Sequence, residues 1–114
     1  MKKRGIILLM CDAPSDPEFV QWLHGPHMDE VKATPGITKV TRYEVIDGPA
    51  DRRQFVGIME TDDIDATLAW RKTAASQRSQ SEADARGIAN RYALVCVPVY
   101  CSVPDETGAG SSKA

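Results

Sequence analysis

Gly5 to Cys11 is an unbroken apolar run, closed by Asp12-Ala13-Pro14. A run this short, with no polar position to face water, suits a strand covered on both sides. It reads as the central strand of a sheet, and everything after it must supply neighbours and cover. Ser15 or Asp16 then caps a helix, with Pro17 in its first turn and Glu18 at its positive end. Phe19 and Leu23 lie one helical turn apart, flanked by Trp22. Pro26 has no N–H to donate to the Trp22 carbonyl, so the helix kinks or restarts at Gly25-Pro26. A second helical stretch runs from Met28 to Ala33, and Pro35-Gly36 ends it.

Ile37 to Ile46 alternates and is rich in β-branched residues, which predicts a strand. Asp47-Gly48-Pro49 is turn chemistry, followed by a polar loop to Arg53. Gln54 to Thr61 reads as a strand with Phe55, Gly57 and Met59 on one face and Val56 and Ile58 on the other. Asp62 or Asp63 caps a helix to about Ala75, with Ile64 and Leu68 inward and Trp70 a further candidate. Ser76 to Ser81 reads as a polar loop, and Glu82 to Asn90 as a short helix weakened by Gly87. Arg91 to Tyr100 reads as the last strand, with Pro98 marking an edge or bulge. The order strand, helix, strand, strand, helix, strand is the ferredoxin-like, split βαβ pattern. The predicted fold class is α+β, with a four-stranded antiparallel sheet.

The chain has 114 residues, of which 42% are hydrophobic. That is enough for one domain with one modest core, assigned to residues 1–102. Residues 103–114 are rich in Gly and Ser and are expected to be a disordered tail. Two helices cover one sheet face only. Val40, Val56, Ile58, Val95 and Val97 are too apolar to leave in water, so the expected partner is a second copy related by a two-fold axis.

Net charge is −2, from 14 basic and 16 acidic residues. This gives no general attraction to nucleic acid or to an anionic membrane, and neither is expected as a partner. Ile6 to Met10 is too short for a signal h-region and far too short to span a bilayer, so the expected location is cytoplasmic. The three cysteines, Cys11, Cys96 and Cys101, form no C-x-x-C pair and read as small hydrophobes. Their spacing from His24 and His27 resembles no zinc site. Phosphate-binding and dinucleotide-binding glycine motifs are absent. The expected site therefore has no metal and no cofactor.

His27 is the leading candidate for chemistry. Imidazole changes charge near neutral pH without special tuning. Beside aromatic side chains it is a candidate general base or acid in an apolar cleft. His24 falls away from the Phe19 face and reads as solvent-side. Tyr43 and Arg42 point to opposite faces of one strand; Tyr43 is a candidate polariser of a substrate carbonyl or enol. Phe19, Trp22, Trp70 and Arg42 are candidate substrate-binding residues.

Phe19-Val20-Gln21-Trp22, then His27, then Pro35-Gly36, then Thr41-Arg42-Tyr43 resembles the dimeric α+β barrel superfamily, in particular its EthD-like branch. Those proteins often carry a proline two residues after the histidine. Here Asp29 stands there, and Pro26 precedes His27. The resemblance implies a homodimer with two sheets face to face and a cleft between sheet and helices in each subunit. Activities in the superfamily include cofactor-free monooxygenation, polyketide cyclisation, lactone isomerisation, lyase steps and haem degradation. The expected function is a small cofactor-independent enzyme acting on a cyclic, aromatic or polyketide-type metabolite. The alternatives are a ligand-binding or stress-type barrel without chemistry, and a haem-handling protein using His24 or His27 as axial ligand.

Overall fold

The computed structural model describes residues 2–103. Of the predicted tail, residues 103–114, only Val103 is described, and it is exposed; the rest lies outside the described residues. The elements are β1 (Gly5–Asp12), α1 (Pro17–Trp22), a π-helical turn (Leu23–His27), α2 (Met28–Lys32), β2 (Ile37–Glu44), β3 (Phe55–Thr61), α3 (Ile64–Arg71), α4 (Ala74–Arg86) and β4 (Ala89–Cys96). The four strands form one antiparallel sheet in the order β2-β3-β1-β4. This is the ferredoxin-like arrangement that the element order predicts.

The unbroken apolar run is β1, and it sits inside the sheet, paired with β3 on one side and β4 on the other. β4 is an edge strand that stops at Cys96, two residues before Pro98. A proline cannot donate to a ladder, which sets this limit. β4 also begins two residues earlier than the pattern predicts. Its start is irregular: the register against β1 shifts between Met10 and Asp12. Asn90 adopts φ 55 there. Its side-chain Nδ2 donates to Asp12 Oδ2 at 2.7 Å, and the Gln54 amide donates to Asp12 Oδ1 at 2.8 Å. One carboxylate thus ties the start of β3 to the start of β4.

α1 begins as the sequence dictates. Asp16 Oδ2 accepts the Phe19 amide at 3.0 Å, with Pro17 in the first turn. α3 is capped by Asp63, whose Oδ1 accepts from the Ala66 amide at 3.2 Å. Between α2 and β2, Gly36 holds φ +89. A Cβ there would come within 2.5 Å of Thr61 Oγ1 and 2.7 Å of Thr67 Oγ1, so only glycine fits. Those two threonines are buried and bonded to each other at 2.7 Å, and Thr67 also donates to the Pro35 carbonyl.

The stretch read as a loop and a short helix is one thirteen-residue helix, α4. Thr73 Oγ1 caps it by accepting the Ser76 amide, and Gly87 at φ 131 ends it. Its sequence has no Leu, Ile, Val, Met or Phe, so it lacks the large apolar period that signals an amphipathic helix. Ala, Gln, Arg and Glu favour helix intrinsically, and the Arg86–Glu82 pair at 3.0 Å adds an i, i+4 contact. Ala83 is its one fully buried residue.

The helices cover the sheet face that carries Ile7, Leu9, Cys11, Val40, Arg42, Phe55, Gly57 and Met59. Cys11, Phe19, Leu23, Ala83 and Ile88 make the core beneath them. The opposite face carries Leu8 between Ile58 and Leu94, and Met10 between Val56 and Tyr92. Tyr43 extends this row beside Val56. Of the five residues expected on the open face, Val56 and Ile58 lie there. Val40 and Val95 pair with Met59 and Ile7 on the helix face, and Val97 lies beyond β4. All three cysteines are free thiols, and Cys101 is exposed rather than buried.

Candidate functional site

The kink expected at Pro26 is a π-helical turn, and it decides what His27 touches. The Met28 amide donates to the Leu23 carbonyl, five residues back, because the proline ring interrupts the normal ladder. Positions five apart lie far round the wheel of a regular α-helix. Across this turn they meet: the His27 ring stacks on the Trp22 ring at 4.8 Å, with an interplanar angle of 28°. Trp22 in turn packs against Phe19 at 5.9 Å and carries the Arg86 guanidinium over its ring at 4.4 Å. The aromatic run of the sequence is therefore a brace behind the imidazole.

On its other edge His27 meets α4. Ser79 Oγ lies 3.4 Å from His27 Nδ1 and donates at 2.9 Å to Glu30 Oε1. Glu30 Oε1 is itself 3.8 Å from Nδ1. A hydroxyl has one proton. With that proton given to Glu30, Ser79 Oγ meets the imidazole as an acceptor, so Nδ1 carries the hydrogen and Nε2 the free lone pair. The side chain is 12% exposed. Burial holds its pKa below the usual 6.5; Arg91 acts the same way, while Glu30 and Glu82 oppose it.

His27 lines a cavity of about 140 Å³ between the helices and the sheet. Ile7, Leu9, Val40, Phe55 and Met59 form its floor, and Met28 and Val31 part of its roof. Ser76, Ser79, Gln80 and Ala83 of α4 also line it. Their spacing of three, four and seven puts them on one helical face. α4 thus turns a polar stripe inward. That spacing was present in the sequence, but small and polar residues do not announce a buried face.

Arg42 is the second predicted residue at this cavity. Its guanidinium lies 3.8 Å from the centre of the Phe55 ring. Nη1 donates to His24 Nε2 at 3.4 Å, and Nη2 is buried with no hydrogen-bond partner among the described residues. His24 is exposed, as its place on the helical wheel predicts. Phe19 and Trp22 stand behind His27 and do not line the cavity. Tyr43 is 53% exposed on the open sheet face, away from His27. Trp70 is turned outward at the end of α3, and its neighbour Arg71 faces the cavity instead. Among the described residues, no group of three His, Cys, Asp or Glu side chains could hold a metal ion. No helix among them is long and apolar enough to cross a membrane.

No family model matches the sequence. No curated protein matches it either. Solved structures do match the fold. A protein of Thermobifida fusca described as dimeric, ferredoxin-like and of unknown function has TM-score 0.63 at 13% identity, over 86% of this chain and 93% of the other. An EthD family protein of Bacillus halodurans has TM-score 0.59 at 14% identity, over 83% of this chain and 99% of the other. SnoaB of Streptomyces nogalater, a cofactor-independent oxygenase, has TM-score 0.66 at 11% identity, over 90% and 99%. The chain has the ferredoxin-like fold of the EthD and dimeric α+β barrel proteins.

Proposed function

We propose that this protein is a small cofactor-independent enzyme in which His27 is the general base, acting on a cyclic or aromatic carbon acid or phenol. The observation that carries this reading is the contact of Nδ1 with Ser79 and Glu30. It supports a tautomer with the hydrogen on Nδ1 and a basic Nε2, in a ring stacked on Trp22. Desolvation keeps the imidazole neutral at working pH, so it is ready to accept a proton. In the step, the substrate's acidic C–H or O–H bond breaks and its proton passes to Nε2. The electron pair stays on the substrate as an enolate or phenolate, and the imidazolium forms beside Glu30. Return of the proton to another carbon gives isomerisation; ring closure or addition of dioxygen to the same anion gives the other outcomes. The description of SnoaB as a cofactor-independent oxygenase supports chemistry of this kind on this fold.

We further infer that two copies pair through their open sheet faces, which supports the fold as a dimeric barrel. Leu8, Met10, Val56, Ile58 and Leu94 supply the apolar surface, and the Thermobifida fusca protein is described as dimeric. The cavity has room for about one ring, which favours a monocyclic substrate over haem.

The test is deuterium exchange. Monocyclic carbon acids and phenols that raise the melting temperature are incubated in D₂O, and exchange at the acidic carbon is followed by NMR. Exchange is expected with the native protein after dialysis against chelator, and not with His27→Ala. Equal exchange by His27→Ala, or loss on chelation restored by a metal, overturns the reading.

A further inference from the structure

The cavity is apolar in most of its wall and cationic in its charges. Arg42, Arg71 and Arg91 line it together with His27, and no Asp or Glu does among the described residues. Arg91 is already neutralised: its Nη2 and Nε donate to Asp84 Oδ1 at 2.6 and 3.2 Å. The other two are not. Arg42 has its stack on Phe55 and a long contact to His24, but Nη2 is buried and has no hydrogen-bond partner among the described residues. Glu44 shares the strand and acts on Arg42 only from a distance, with no ion pair between them. The Arg71 guanidinium is half-buried and makes no ion pair or hydrogen bond among the described residues. Cations withdrawn from water without counter-charge are costly, so such a wall is stabilised by an anion. The planar guanidinium fork matches a carboxylate in both shape and charge.

Size narrows the class. A cavity near 140 Å³ resembles those that hold a single benzene-sized ring. We propose that the cavity selects a one-ring carboxylate, its carboxylate on Arg42 Nη2 with Arg71 as the second cation and its ring over the apolar floor of Ile7, Leu9, Val40 and Met59. This rests on the reading of the cavity as the substrate site, and it adds the charge and size of the substrate.

Benzoate and its neutral isostere benzamide separate charge from shape. Titration calorimetry on the native protein at low salt should give benzoate binding at least roughly tenfold tighter than benzamide, as one charge-assisted hydrogen bond supplies. Arg42→Gln and Arg71→Gln should each reduce this preference. Equal binding of the two ligands overturns the proposal. So does absence of benzoate binding up to roughly ten millimolar. If Arg42→Gln is silent and only Arg71→Gln matters, the assignment to Arg42 is wrong. Should Arg42→Gln fail to fold, the ligand pair on the native protein and Arg71→Gln still decide. Arginine-dependent benzoate binding without proton exchange would remove the base and leave this site standing. Exchange that needs His27 but shows no carboxylate preference would do the reverse.

Discussion

The two faces of the sheet invert the usual arrangement of a small domain. The face under the helices holds His27, Arg42, Arg71 and Arg91 around a cavity, and the face with no helix over it holds Leu8, Met10, Val56, Ile58 and Leu94. A monomer gains most by burying apolar area and leaving charge in water. Here charge has been drawn under cover and apolar surface left open. The difference teaches that the two faces answer to different demands. On the proposed reading the covered face serves a small anionic ligand in a dry place, and the open face serves a second copy of the chain.

The largest effect is expected from breaking the open face. Leu8 sits on central β1 between Ile58 and Leu94. Leu8→Glu places one carboxylate per protomer in the middle of the proposed interface, between the apolar Ile58 and Leu94. A buried unpaired charge costs several kcal/mol, and the two-fold doubles it. Analytical ultracentrifugation should show a dimer for the native protein and a monomer for the variant. A native monomer at micromolar concentration would show that the open face has some other occupant.

Breaking the covered face should leave the assembly alone. His27→Ala removes the base and a ring stacked on Trp22. Turnover should fall roughly 10²–10⁴-fold, as for other lost general bases, while the dimer persists. If instead His24→Ala is the damaging change and His27→Ala is silent, the base has been assigned to the wrong histidine.

How much of each face was legible follows from what sequence pattern reports. The open face was read through Val56 and Ile58, because strand alternation is a strong signal. The order of elements and the kink at Pro26 were also legible, since proline has few places to go. The stacking of Trp22 on His27 was not, because it needs the five-residue step of a π-turn that the pattern names only as a kink. Most of α4, up to Ser81, was read as a loop for the reason that makes it useful: its inward stripe of Ser76, Ser79, Gln80 and Ala83 carries no hydrophobic period. Tyr43 and Arg42 were assigned to opposite faces correctly, but which face held the cavity depended on packing across the whole chain.

A smaller effect probes Ser79, which acts through His27. Ser79→Ala takes away the acceptor at Nδ1–H and frees Glu30 from its hydroxyl partner. The ring then loses a contact that favours one tautomer, and turnover should fall, by less than on loss of the base itself. Nitrogen chemical shifts of His27 should change from one tautomer to a mixture, a signature that lost packing alone would not give. Ser79→Thr keeps the hydroxyl and should recover most of the loss. Unchanged shifts in Ser79→Ala would show that Glu30 alone orients the ring.

The smallest effect lies in stability against pH, and it discriminates best between two views of His27. Four groups face the imidazole: Ser79 and Glu82 from α4, Glu30 from α2 and Arg91 from β4. The two carboxylates favour the cation. Arg91 opposes it, and burial opposes it most. The folded pKa is therefore below 6.5, the value expected in the unfolded chain. Above about 6.5 both states are neutral and His27 adds no pH dependence. As pH falls through 6.5 the unfolded chain takes up the proton first, so unfolding becomes easier. The penalty grows until pH passes the folded pKa and is constant below it. Asp12, held low by Asn90 and Gln54, loses its own contribution only further down, as pH falls through its lowered pKa below 3.8. Melting temperatures of the native protein and His27→Gln, taken from pH 8 to 5 at one protomer concentration, isolate the histidine. The native protein should lose melting temperature relative to the variant as pH falls over this range, because burial disfavours the imidazolium in the folded state. If it gains stability instead, the attraction of Glu30 and Glu82 outweighs burial, and the surroundings of His27 favour the imidazolium rather than the neutral base.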